Sequence, residues 1–515
     1  MPSESSDNDE RSQKALRLEG ITKRFGELVA NDKISVTVRR GEILALLGEN
    51  GAGKTTLMNI LFGHYVADSG TVEVFGTPLK PGSPHAAIAA GIGMVHQHFT
   101  LADNLTVLDN VVLGTESLWR LSTRRREARQ RLVDLAKQFG FAVDPGALIA
   151  NLSVGERQHV EILKVLFRDA RILVLDEPTA VLVPHEVDGL FTTLRKLALH
   201  GVSIIFISHK LREVMAIADR IVVLRRGRVV AECQRATVDP GDLAELMVGQ
   251  PIIQPVLENL SPGESVLRVS GVTLRGKGNR TLLDDVDLDI HQNEIVGVAG
   301  VSGNGQSLLA DVLSGLVVPD TGTIEVFGNS IVRWSPIDLI NLNVARIPED
   351  RHATGLYGDM SIWENIIAER YRTPEFARGG FQRLKSARQY SKTIIAEFDI
   401  RCPGPEAVTR LLSGGNMQKL ILGRTLSRSP KVVIANQPTR GLDVGAASYV
   451  HRRLIEARAH GAGVLLISDD LDELLDLSDR VVVMYRGQVS DPIARGRVKI
   501  RELSLQMAGQ GRDAN

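Results

Sequence analysis

The sequence predicts an α/β protein built from two tandem copies of one domain that contains a parallel β-sheet. Three observations predict it: short apolar strand-like runs alternate with amphipathic helical segments, the second half repeats the motif order of the first, and each half contains a glycine-rich loop. With 515 residues, the chain is too long for one ordinary domain. Its 43% hydrophobic and 24% charged residues are typical of globular proteins with substantial cores.

The internal repeat sets the domain organisation. The corresponding pairs are Lys54 and Gln306, Gln97 and Glu349, Ser153 and Ser413, Asp176 and Asn436, and His209 and Asp469. The first two pairs are 252 residues apart and the other three are 260 apart. The second half has therefore gained a net eight residues between its counterparts of Gln97 and Ser153. A repeat of this length indicates duplicated domains and not a solenoid.

The chain divides at a proline-rich stretch. QPIIQPVLENLSPGE, residues 250–264, has three prolines and lies where the first copy ends. We expect a disordered N-terminus at 1–14, a first domain at 15–250, a linker at 251–264 and a second domain at 265–511. The strand-like runs are EILALLG, RILVLD and VSIIFIS, and residues 105–150 are expected to form a helical subdomain.

Composition and charge exclude several classes of function. Lys+Arg and Asp+Glu both number 61, so the zero net charge gives no electrostatic reason to expect a nucleic-acid partner. Cys233 and Cys402 lack metal-ligand spacing and fit a reducing compartment. No secretory signal appears, and no apolar run approaches the roughly 18 residues of a membrane-spanning helix. Any work at a membrane would therefore require a partner.

The first half contains a complete phosphate-binding loop, GENGAGKTT, between a strand and a helix. Its residues are Gly48, Asn50, Gly51, Gly53, Lys54, Thr55 and Thr56. Glycines allow the backbone N–H groups to approach phosphate closely. Lys54 would reach the β- and γ-phosphates of ATP, and Thr55 would be a ligand of Mg²⁺.

Further candidate residues lie upstream and downstream of this loop. Asp176 and Glu177 end an apolar strand, where one carboxylate can hold Mg²⁺ and the other can orient the attacking water. His209 follows the next strand and could contact the γ-phosphate, although a lone histidine is more often structural. Phe25 could stack on adenine, with an ordinary core aromatic as the alternative.

The order GENGAGKTT, MVHQ, NLSVGE, LVLDEPTA, ISHK resembles the ATP-binding cassette (ABC) ATPases, and the likeness covers about residues 14–511. More narrowly, IPEDRHATGL, QPTRGLDVGA and MVHQHF resemble the nucleoside-uptake branch of the fused double ATPases that serve bacterial simple-sugar and nucleoside importers. The resemblance implies two tandem ABC-type P-loop domains. Each would have a RecA-like parallel-sheet core, an antiparallel β subdomain and a helical signature subdomain.

In that family, cassettes pack head to tail, so each ATP would lie between the phosphate loop of one and the signature motif of the other. The resemblance therefore implies one complete site, with Lys54, Gln97, Asp176, Glu177 and His209 from the first half and Ser413, Gly414, Gly415 and Asp443 from the second. In the complete site, Thr55, Gln97 and Asp176 would hold Mg²⁺.

The other site is predicted to be degenerate. It would take Gly300, Gly305, Gln306, Ser307, Glu349, Asn436, Gln437 and Asp469 from the second half, with Ser153 and Gly155 from the first. The lysine and both carboxylates have become amides, and the histidine has become an acid. Every departure falls on one site, which is therefore expected to bind nucleotide without turnover.

The resemblance also implies partners. One fused chain would lie at the cytoplasmic face of a bacterial membrane beneath two transmembrane permease subunits and, through them, serve a lipoprotein or periplasmic-type receptor. The substrate would be a nucleoside, with a simple sugar such as ribose or galactose as the close alternative. A remote alternative is a soluble twin-cassette ATPase that acts on ribosomes, but these usually have a long charged arm and two intact sites.

Overall fold

The computed structural model describes residues 14–96, 99–115, 125–179, 182, 184–208, 210–249, 257–301, 303–331, 335–507 and 509. The chain forms two compact units, residues 1–252 and 253–515. The predicted positions Gln97 and His209, and part of the predicted linker, lie outside the described residues. None of the described helices has the length and apolar character that a membrane span requires.

The first unit has ten described strands and eight described α-helices. The strands are β1 (Lys14–Phe25), β2 (Leu28–Arg39), β3 (Ile43–Leu47), β4 (Ser69–Val74), β5 (Thr77–Pro78), β6 (Ile92–Val95), β7 (Ile172–Asp176), β8 (Ser203–Ile207), β9 (Arg220–Arg225) and β10 (Arg228–Gln234). The helices are α1 (Lys54–Leu61), α2 (Pro84–Ala89), α3 (Val107–Val112), α4 (Arg125–Phe139), α5 (Val154–Leu166), α6 (Pro184–Leu199), α7 (Leu211–Ile217) and α8 (Pro240–Val248).

Two sheets organise this unit. The larger sheet has the order β10-β9-β3-β8-β7-β6, in which β9, β3, β8, β7 and β6 pair in parallel and β10 is an antiparallel edge. The smaller sheet, β2-β1-β4-β5, is antiparallel. Strand β3 is buried throughout, as is expected of a central parallel strand covered on both faces. The carboxyl ends of β3, β7 and β8 meet at one edge, where a ligand site is expected.

The second unit repeats this plan with extra short strands. Its strands are β11 (Ser265–Arg275), β12 (Thr281–His291), β13 (Glu294–Ala299), β14 (Thr321–Val326), β15 (Asn329–Ser330), β16 (Val344–Ile347), β17 (Ala377–Arg378), β18 (Phe381–Gln382), β19 (Val432–Asn436), β20 (Gly463–Ile467), β21 (Arg480–Tyr485), β22 (Gln488–Val489) and β23 (Ile493–Ala494). Its helices are α9 (Gln306–Leu313), α10 (Pro336–Asn341), α11 (Ile362–Ile367), α12 (Leu384–Glu397), α13 (Gly414–Leu426), α14 (Val444–Ala459), α15 (Leu471–Leu477) and α16 (Ile500–Met507).

The sheet order of the second unit matches that of the first. The main sheet runs β16-β19-β20-β13-β21-β22, with β23 also paired to β21, and the antiparallel sheet runs β12-β11-β14-β15. A hairpin of β17 and β18 lies in the interval where the sequence predicts the extra residues. The fold class predicted from the sequence, tandem α/β domains with parallel cores and antiparallel subdomains, is therefore confirmed.

An ion pair recurs at the same place in both units, buried in the first and partly buried in the second. In the first, Arg220 on β9 is 3% exposed and its Nε donates to Glu42 at 2.7 Å. In the second, Arg480 on β21 donates to Glu294 at the same distance. Glu42 raises the pKa of Arg220 further, so this guanidinium remains charged although burial opposes it. Each pair connects the start of the central strand to its neighbour, at the edge of the sheet opposite the carboxyl ends that carry the candidate site.

Candidate functional site

The first phosphate-binding loop lies between β3 and α1, and its backbone requires glycine. Gly48 and Gly53 have φ values of 158° and 101°. A Cβ on Gly48 would lie 2.4 Å from the Leu224 carbonyl oxygen, and one on Gly53 would lie 2.4 Å from the Ala30 carbonyl oxygen. Both obstacles are backbone atoms that cannot move aside easily. The glycines therefore let the loop fold against neighbouring strands while its N–H groups and the start of α1 form an anion-binding concavity.

Lys54 is buried inside this loop. The residue is 8% exposed, and its Nζ donates to the carbonyl oxygens of Gly48 at 2.6 Å and Glu49 at 3.1 Å. Asn31, fully buried on β2, donates to the Gly53 carbonyl at 3.0 Å and so stabilises the loop. The cation is therefore held in place by the loop itself, as a preorganised phosphate site requires.

The carboxylates predicted to act with Lys54 lie at the end of β7. Burial, followed by the neighbouring Glu177, raises the pKa of Asp176, while Lys54 and His96 lower it. An anionic carboxylate next to another carboxylate is stabilised by a cation, and hydroxyl and carboxylate oxygens are ligands that Mg²⁺ prefers. The chain's own donors in the described part of the site, Asp176 and the Thr55 hydroxyl, therefore fit Mg²⁺ bound together with phosphate.

The predicted catalytic residue Glu177 has a strained backbone. Its φ is 46°, in the left-handed region that non-glycine residues rarely adopt, and its N–H donates to the Ile207 carbonyl at 2.9 Å. The equivalent Gln437 has a φ of 49° and donates to the Ile467 carbonyl at 2.8 Å. Strain of this kind persists where the surroundings enforce it, commonly at functional sites. The second half has thus retained the backbone conformation at this position but carries an amide in place of the carboxylate.

Phe25, the predicted adenine platform, ends β1 and is 45% exposed. Its ring makes an edge contact with Tyr65 at a centroid distance of 5.5 Å. A plain core aromatic, the alternative interpretation, would be buried, whereas Phe25 lies at the surface with the Lys23 ammonium 5.6 Å from its ring centroid. Its role in stacking on adenine stays a prediction.

The second phosphate loop has the same shape but contains no cation. Gly305 has a φ of 114°, and Gln306 replaces the lysine with 5% exposure. The Gln306 Nε2 donates to the Val301 carbonyl at 3.0 Å, whereas its Oε1 is buried with no hydrogen-bond partner among the residues that the structure describes. The Oδ1 of Asn436, the counterpart of Asp176, is also buried and has no partner within the described part of the chain. Each unsatisfied amide oxygen is costly, and each favours a site that receives a hydrogen-bond donor.

An unpredicted ion pair lies beside this loop. Glu349 accepts a hydrogen bond from the Ser307 hydroxyl at 2.9 Å, and its other carboxylate oxygen pairs with Arg440. Sequence reasoning selected Glu349 and Ser307 but missed Arg440. The signal was present, because TRGLD in the second half carries an arginine where TAVLV in the first half has Ala180.

The two signature motifs begin their helices in different ways. Ser153 caps α5 by accepting from the Glu156 N–H at 3.2 Å, and the Glu156 carboxylate accepts from the Ser153 N–H at 2.8 Å. Ser413 makes no side-chain cap on α13, and its hydroxyl accepts from the Asn416 amide at 2.9 Å. The start of α5 is therefore occupied by its own carboxylate, whereas α13 keeps its first N–H groups free of such a cap.

The remaining predicted residues are held by local contacts. A Cβ on Gly155 would lie 2.5 Å from a Glu186 carboxylate oxygen, and one on Gly415 would lie 3.3 Å from Ala446. Asp443 caps α14 by accepting from the Ala446 N–H at 2.7 Å. The Asp469 N–H donates to the side chain of Gln437 at 3.2 Å, which brings two predicted residues of the second half together.

Comparison with known proteins gives a consistent family. The model of the ABC transporter family matches residues 31–180 and 283–440. The chain is 44% identical to the glucose import ATP-binding protein TsgD13 of Haloferax volcanii, covering 96% of each chain. It is 41% identical to the nucleoside import ATP-binding protein NupA of Lactococcus lactis, covering 97% of this chain and 99% of that protein. It is 42% identical to the guanosine import ATP-binding protein NupO of Bacillus subtilis, covering 96% and 97%.

A solved structure shares the fold over nearly the full length. It is the complex of archaeal ribosomal stalk protein aP1 with ribosome recycling factor aABCE1, with a TM-score of 0.62, 19% identity, and coverage of 92% of this chain and 90% of that one. At this identity the likeness concerns the fold alone.

Three findings lead to a single family assignment. They are the two matched family segments, the full-length relatives above 40% identity and the two phosphate loops of one geometry. This chain belongs to the ABC transporter family, in which it is an ATPase made of two ATP-binding cassettes.

Proposed function

We propose that this protein energises the import of nucleosides and that ATP hydrolysis takes place at the site built on Lys54. The observation that carries the substrate class is the similarity, over almost the full chain, to a nucleoside import protein and a guanosine import protein. The first phosphate loop, with its buried lysine and adjacent carboxylate pair, supports hydrolysis.

The residues of the first half divide the chemistry between them. Lys54 and the loop N–H groups bind the phosphates, and Thr55 and Asp176 hold Mg²⁺ together with Gln97. Glu177 orients the attacking water, and His209 contacts the γ-phosphate. Mg²⁺ supplies charge neutralisation between the phosphates when it is bound. Asp176 must be ionised to serve as a ligand, and Lys54 lowers its pKa in that direction.

In the second half, the same positions hold nucleotide without hydrolysing it. Gln437 has the backbone of a catalytic residue but carries an amide, which cannot accept a proton from water. Gln306 lacks the positive charge of a lysine. The first half therefore performs turnover, and the second serves as a binding or regulatory site. Following the family resemblance, the signature residues Ser413, Gly414 and Gly415 complete the hydrolytic site.

The first unit also offers a surface for a membrane partner. A cleft of about 220 Å³ lies between the core and the signature helix. Its lining includes the apolar residues Phe62, Ile88 and Met94, together with Lys164 of α5 and Arg168, two residues beyond the end of that helix. A lining that combines apolar and charged side chains suits a short segment of another protein. We propose that a permease subunit docks here, at the cytoplasmic face of the membrane, with two permeases and a substrate receptor served by one fused chain.

Sugar import is the second candidate function, and a specific observation favours it. The glucose import protein TsgD13 is 44% identical to this chain, slightly more than either nucleoside relative. Each alignment extends over nearly the whole sequence of the relative. These sequences do not reveal the substrate, because the transported molecule would contact the permease and the receptor. A difference of two or three percentage points therefore does not separate the candidates, and transport must be measured.

The deciding experiment is uptake of labelled uridine, adenosine, ribose and galactose by cells that express this chain with its own permeases. The comparison is with Glu177→Gln, which keeps the shape of the site and removes the base. We expect uridine and adenosine uptake to collapse in the variant. The matched control is Glu245→Gln, exposed on helix α8, which should leave uptake unchanged.

The outcomes separate the two candidates. Loss of ribose or galactose uptake with retention of nucleoside uptake would establish the sugar importer and contradict the proposed substrate. Unchanged uptake of all four compounds in Glu177→Gln would contradict the assignment of hydrolysis to the first site.

A further inference from the structure

We propose that the hairpin formed by β17 and β18, together with the basic residues on either side of it, binds the anionic headgroups of a phospholipid membrane. The proposal rests on the proposed function in one respect, which is that the chain works at the face of a membrane. It concerns residues 370–388, which neither the hydrolytic site nor the cleft of the first unit uses. It also gives a role to the interval in which the second half has gained its net eight residues.

The hairpin turns through two residues only. Arg378 pairs with Phe381, so Gly379 and Gly380 form the whole turn. Both glycines have positive φ values, 59° and 85°. Two positive φ values in a two-residue turn match the right-handed twist of the flanking strands, and glycine adopts them without a steric penalty. A Cβ at either glycine would meet no atom within 4 Å, so the turn projects into open space.

The base of the hairpin is anchored in the core of the second unit. Phe376, the residue before β17, is fully buried, and the Arg370 guanidinium lies 5.2 Å from its ring centroid. The Arg383 N–H donates to the Phe376 carbonyl at 2.7 Å, which joins the two ends of the hairpin. The tip of the hairpin therefore extends from a base that is held by buried contacts.

The tip carries an aromatic ring that the fold does not bury. Phe381, next to the turn, is 82% exposed, and Tyr371 and Leu384 of the same segment are exposed as well. A ring left in water contributes no apolar burial to the stability of the fold, but it gains that burial at the boundary between headgroups and acyl chains. Because Arg378 and Phe381 are directly opposite each other in the ladder, a cation and this ring lie on the same face of the hairpin.

The same segment is strongly basic, although the chain as a whole is neutral. Residues 370–388 contain six arginines or lysines and one acidic residue, Glu375, whereas the whole chain has 61 residues of each sign. Arg372, Arg378 and Lys385 are exposed, and none of the three forms an ion pair with a residue that the structure describes. Unneutralised cations around an exposed aromatic ring fit a surface with negative charge outside and an apolar interior, which is the chemistry of an anionic lipid leaflet.

The segment begins at the second unit's counterpart of the cleft that we propose as the permease site. Lys164 and Arg168 line that cleft in the first unit. At the offset of 260 residues, their counterparts are Arg424 and Arg428. Glu369, the residue before the segment, pairs with both, at 3.2 Å from Nε of Arg424 and 3.6 Å from Nη1 of Arg428. Because a permease is embedded in the bilayer, a segment beside its docking position lies close to lipid, which favours a membrane over a soluble anionic partner.

The test measures binding of the full chain, without permeases, to phospholipid vesicles by co-sedimentation. Vesicles of phosphatidylcholine alone are compared with vesicles that contain about one-third phosphatidylglycerol, at low ionic strength so that charges are weakly screened. We expect the chain to bind the anionic vesicles at least about tenfold more tightly. The double variant Arg378→Gln with Lys385→Gln should weaken this binding by about twenty-five-fold, because each cation near an anionic surface contributes about fivefold. Phe381→Ala should weaken it by roughly tenfold through the loss of ring burial.

Two further variants complete the design. Arg495→Gln with Arg497→Gln removes the same charge from another exposed segment of the second unit, and it should leave vesicle binding within about twofold of the parent. Phe381→Trp places a fluorescent ring at the tip of the hairpin. It should bind as the parent does, and its added fluorescence should be quenched by phospholipids with brominated acyl chains. All the substituted side chains are exposed, so the variants should fold.

Three results would each overturn the proposal: equal or absent binding to the two kinds of vesicle, unchanged affinity in the Arg378→Gln and Lys385→Gln variant, or no quenching in Phe381→Trp. Loss of copurification with the permeases in Phe381→Ala, with vesicle binding unchanged, would assign the hairpin to a protein contact instead. Vesicle binding is measured without permeases, nucleotide or transported substrate. Failure of the lipid contact and failure of nucleoside uptake are therefore separate results.

Discussion

The first and second cassettes share one backbone and differ in the charged groups placed on it. Both have a phosphate loop with two or more glycines at positive φ, and both have a strained residue after the strand that ends the site. In the first, that frame presents Lys54, Asp176 and Glu177, and in the second it presents three amides. The comparison teaches that fold and catalysis are maintained by different residues, because backbone geometry depends on glycines and buried strands while turnover depends on a few ionisable groups.

Substituting alanine at the lysine position of each phosphate loop should give the largest difference in ATP hydrolysis between the two halves. Lys54→Ala removes the cation that the loop holds against its carbonyl groups, and we expect ATP hydrolysis to fall by roughly 10²–10³-fold. Gln306→Ala removes an uncharged side chain and should leave hydrolysis within about threefold of the parent. Steady-state phosphate release with the permeases present measures both. Equal losses in the two variants would contradict the asymmetry.

A methyl group in each loop tests the shared backbone. Gly53→Ala places a Cβ 2.4 Å from a backbone carbonyl oxygen, so we expect a loss of roughly 3 kcal/mol in the stability of the first unit. Gly305→Ala has a similar φ, but its nearest neighbour is the flexible end of Met484 at 2.9 Å. Its cost should therefore be smaller, about 1 kcal/mol. Urea denaturation followed by fluorescence measures both, and a larger loss in Gly305→Ala would contradict this explanation.

The pH dependence of stability should distinguish Asp176, at the end of β7, from Asn436, at the end of β19. Burial and Glu177 raise the pKa of Asp176 above its ordinary value of 3.8, so the ionised form is disfavoured in the folded chain. Below pH 3.8 the carboxyl is protonated in both the folded and the unfolded chain, so it causes no loss of stability. The loss develops as pH rises from 3.8 through the higher pKa of the folded chain. Asp176→Asn should therefore raise the thermal midpoint at pH 7 without nucleotide, and the gain should shrink toward pH 4.

The reverse exchange in the second half is the control for this prediction. Asn436 is 3% exposed, so Asn436→Asp buries a new carboxylate and should lower the midpoint at pH 7. Calorimetric scans between pH 4 and 8 measure both variants. A pH-independent gain in Asp176→Asn would show that the charge of Asp176 is not the cause.

The smallest expected effect concerns the signature helices. Ser153→Ala removes one half of a capping box and should cost about 1 kcal/mol locally, which corresponds to roughly fivefold faster exchange of the first amides of α5. Ser413→Ala removes no helix cap and should change exchange at α13 by less than about twofold. Hydrogen exchange without nucleotide compares the two helices directly. Similar effects at both would mean that the caps do not differ in solution.

Much of the fold could be read from the sequence. The apolar runs ending at Leu47 and Asp176 predicted buried parallel strands, because a strand covered on both faces has no polar positions. The repeat then predicted a second copy with the same order of strands, which the second unit confirms. The family followed from the order of five motifs, since the spacing of phosphate-binding and carboxylate groups along the chain reflects their convergence at one sheet edge.

Other features could not be read in this way. Arg440 was not recognised because its importance depends on meeting Glu349, which is 91 residues away in the chain. The capping box that Ser153 and Glu156 form at the start of α5 was also not predicted, although its S-x-x-E spacing is a known helix-start pattern.

The sequence by itself determined that this protein has two phosphate loops, one with and one without its cation, because covalent order alone specifies which residue occupies each position. Only the tertiary structure decided where the missing charges of the second half reappear, how Lys54 is held and which signature helix is already capped. Lys54 and Ser153 are held by partners only three to six residues away, which the local backbone conformation brings together. The new charges depend instead on contacts between residues far apart in the chain, such as Glu349 and Arg440. Such contacts form only when burial of the strands brings the loops that carry those residues to the same edge of the sheet.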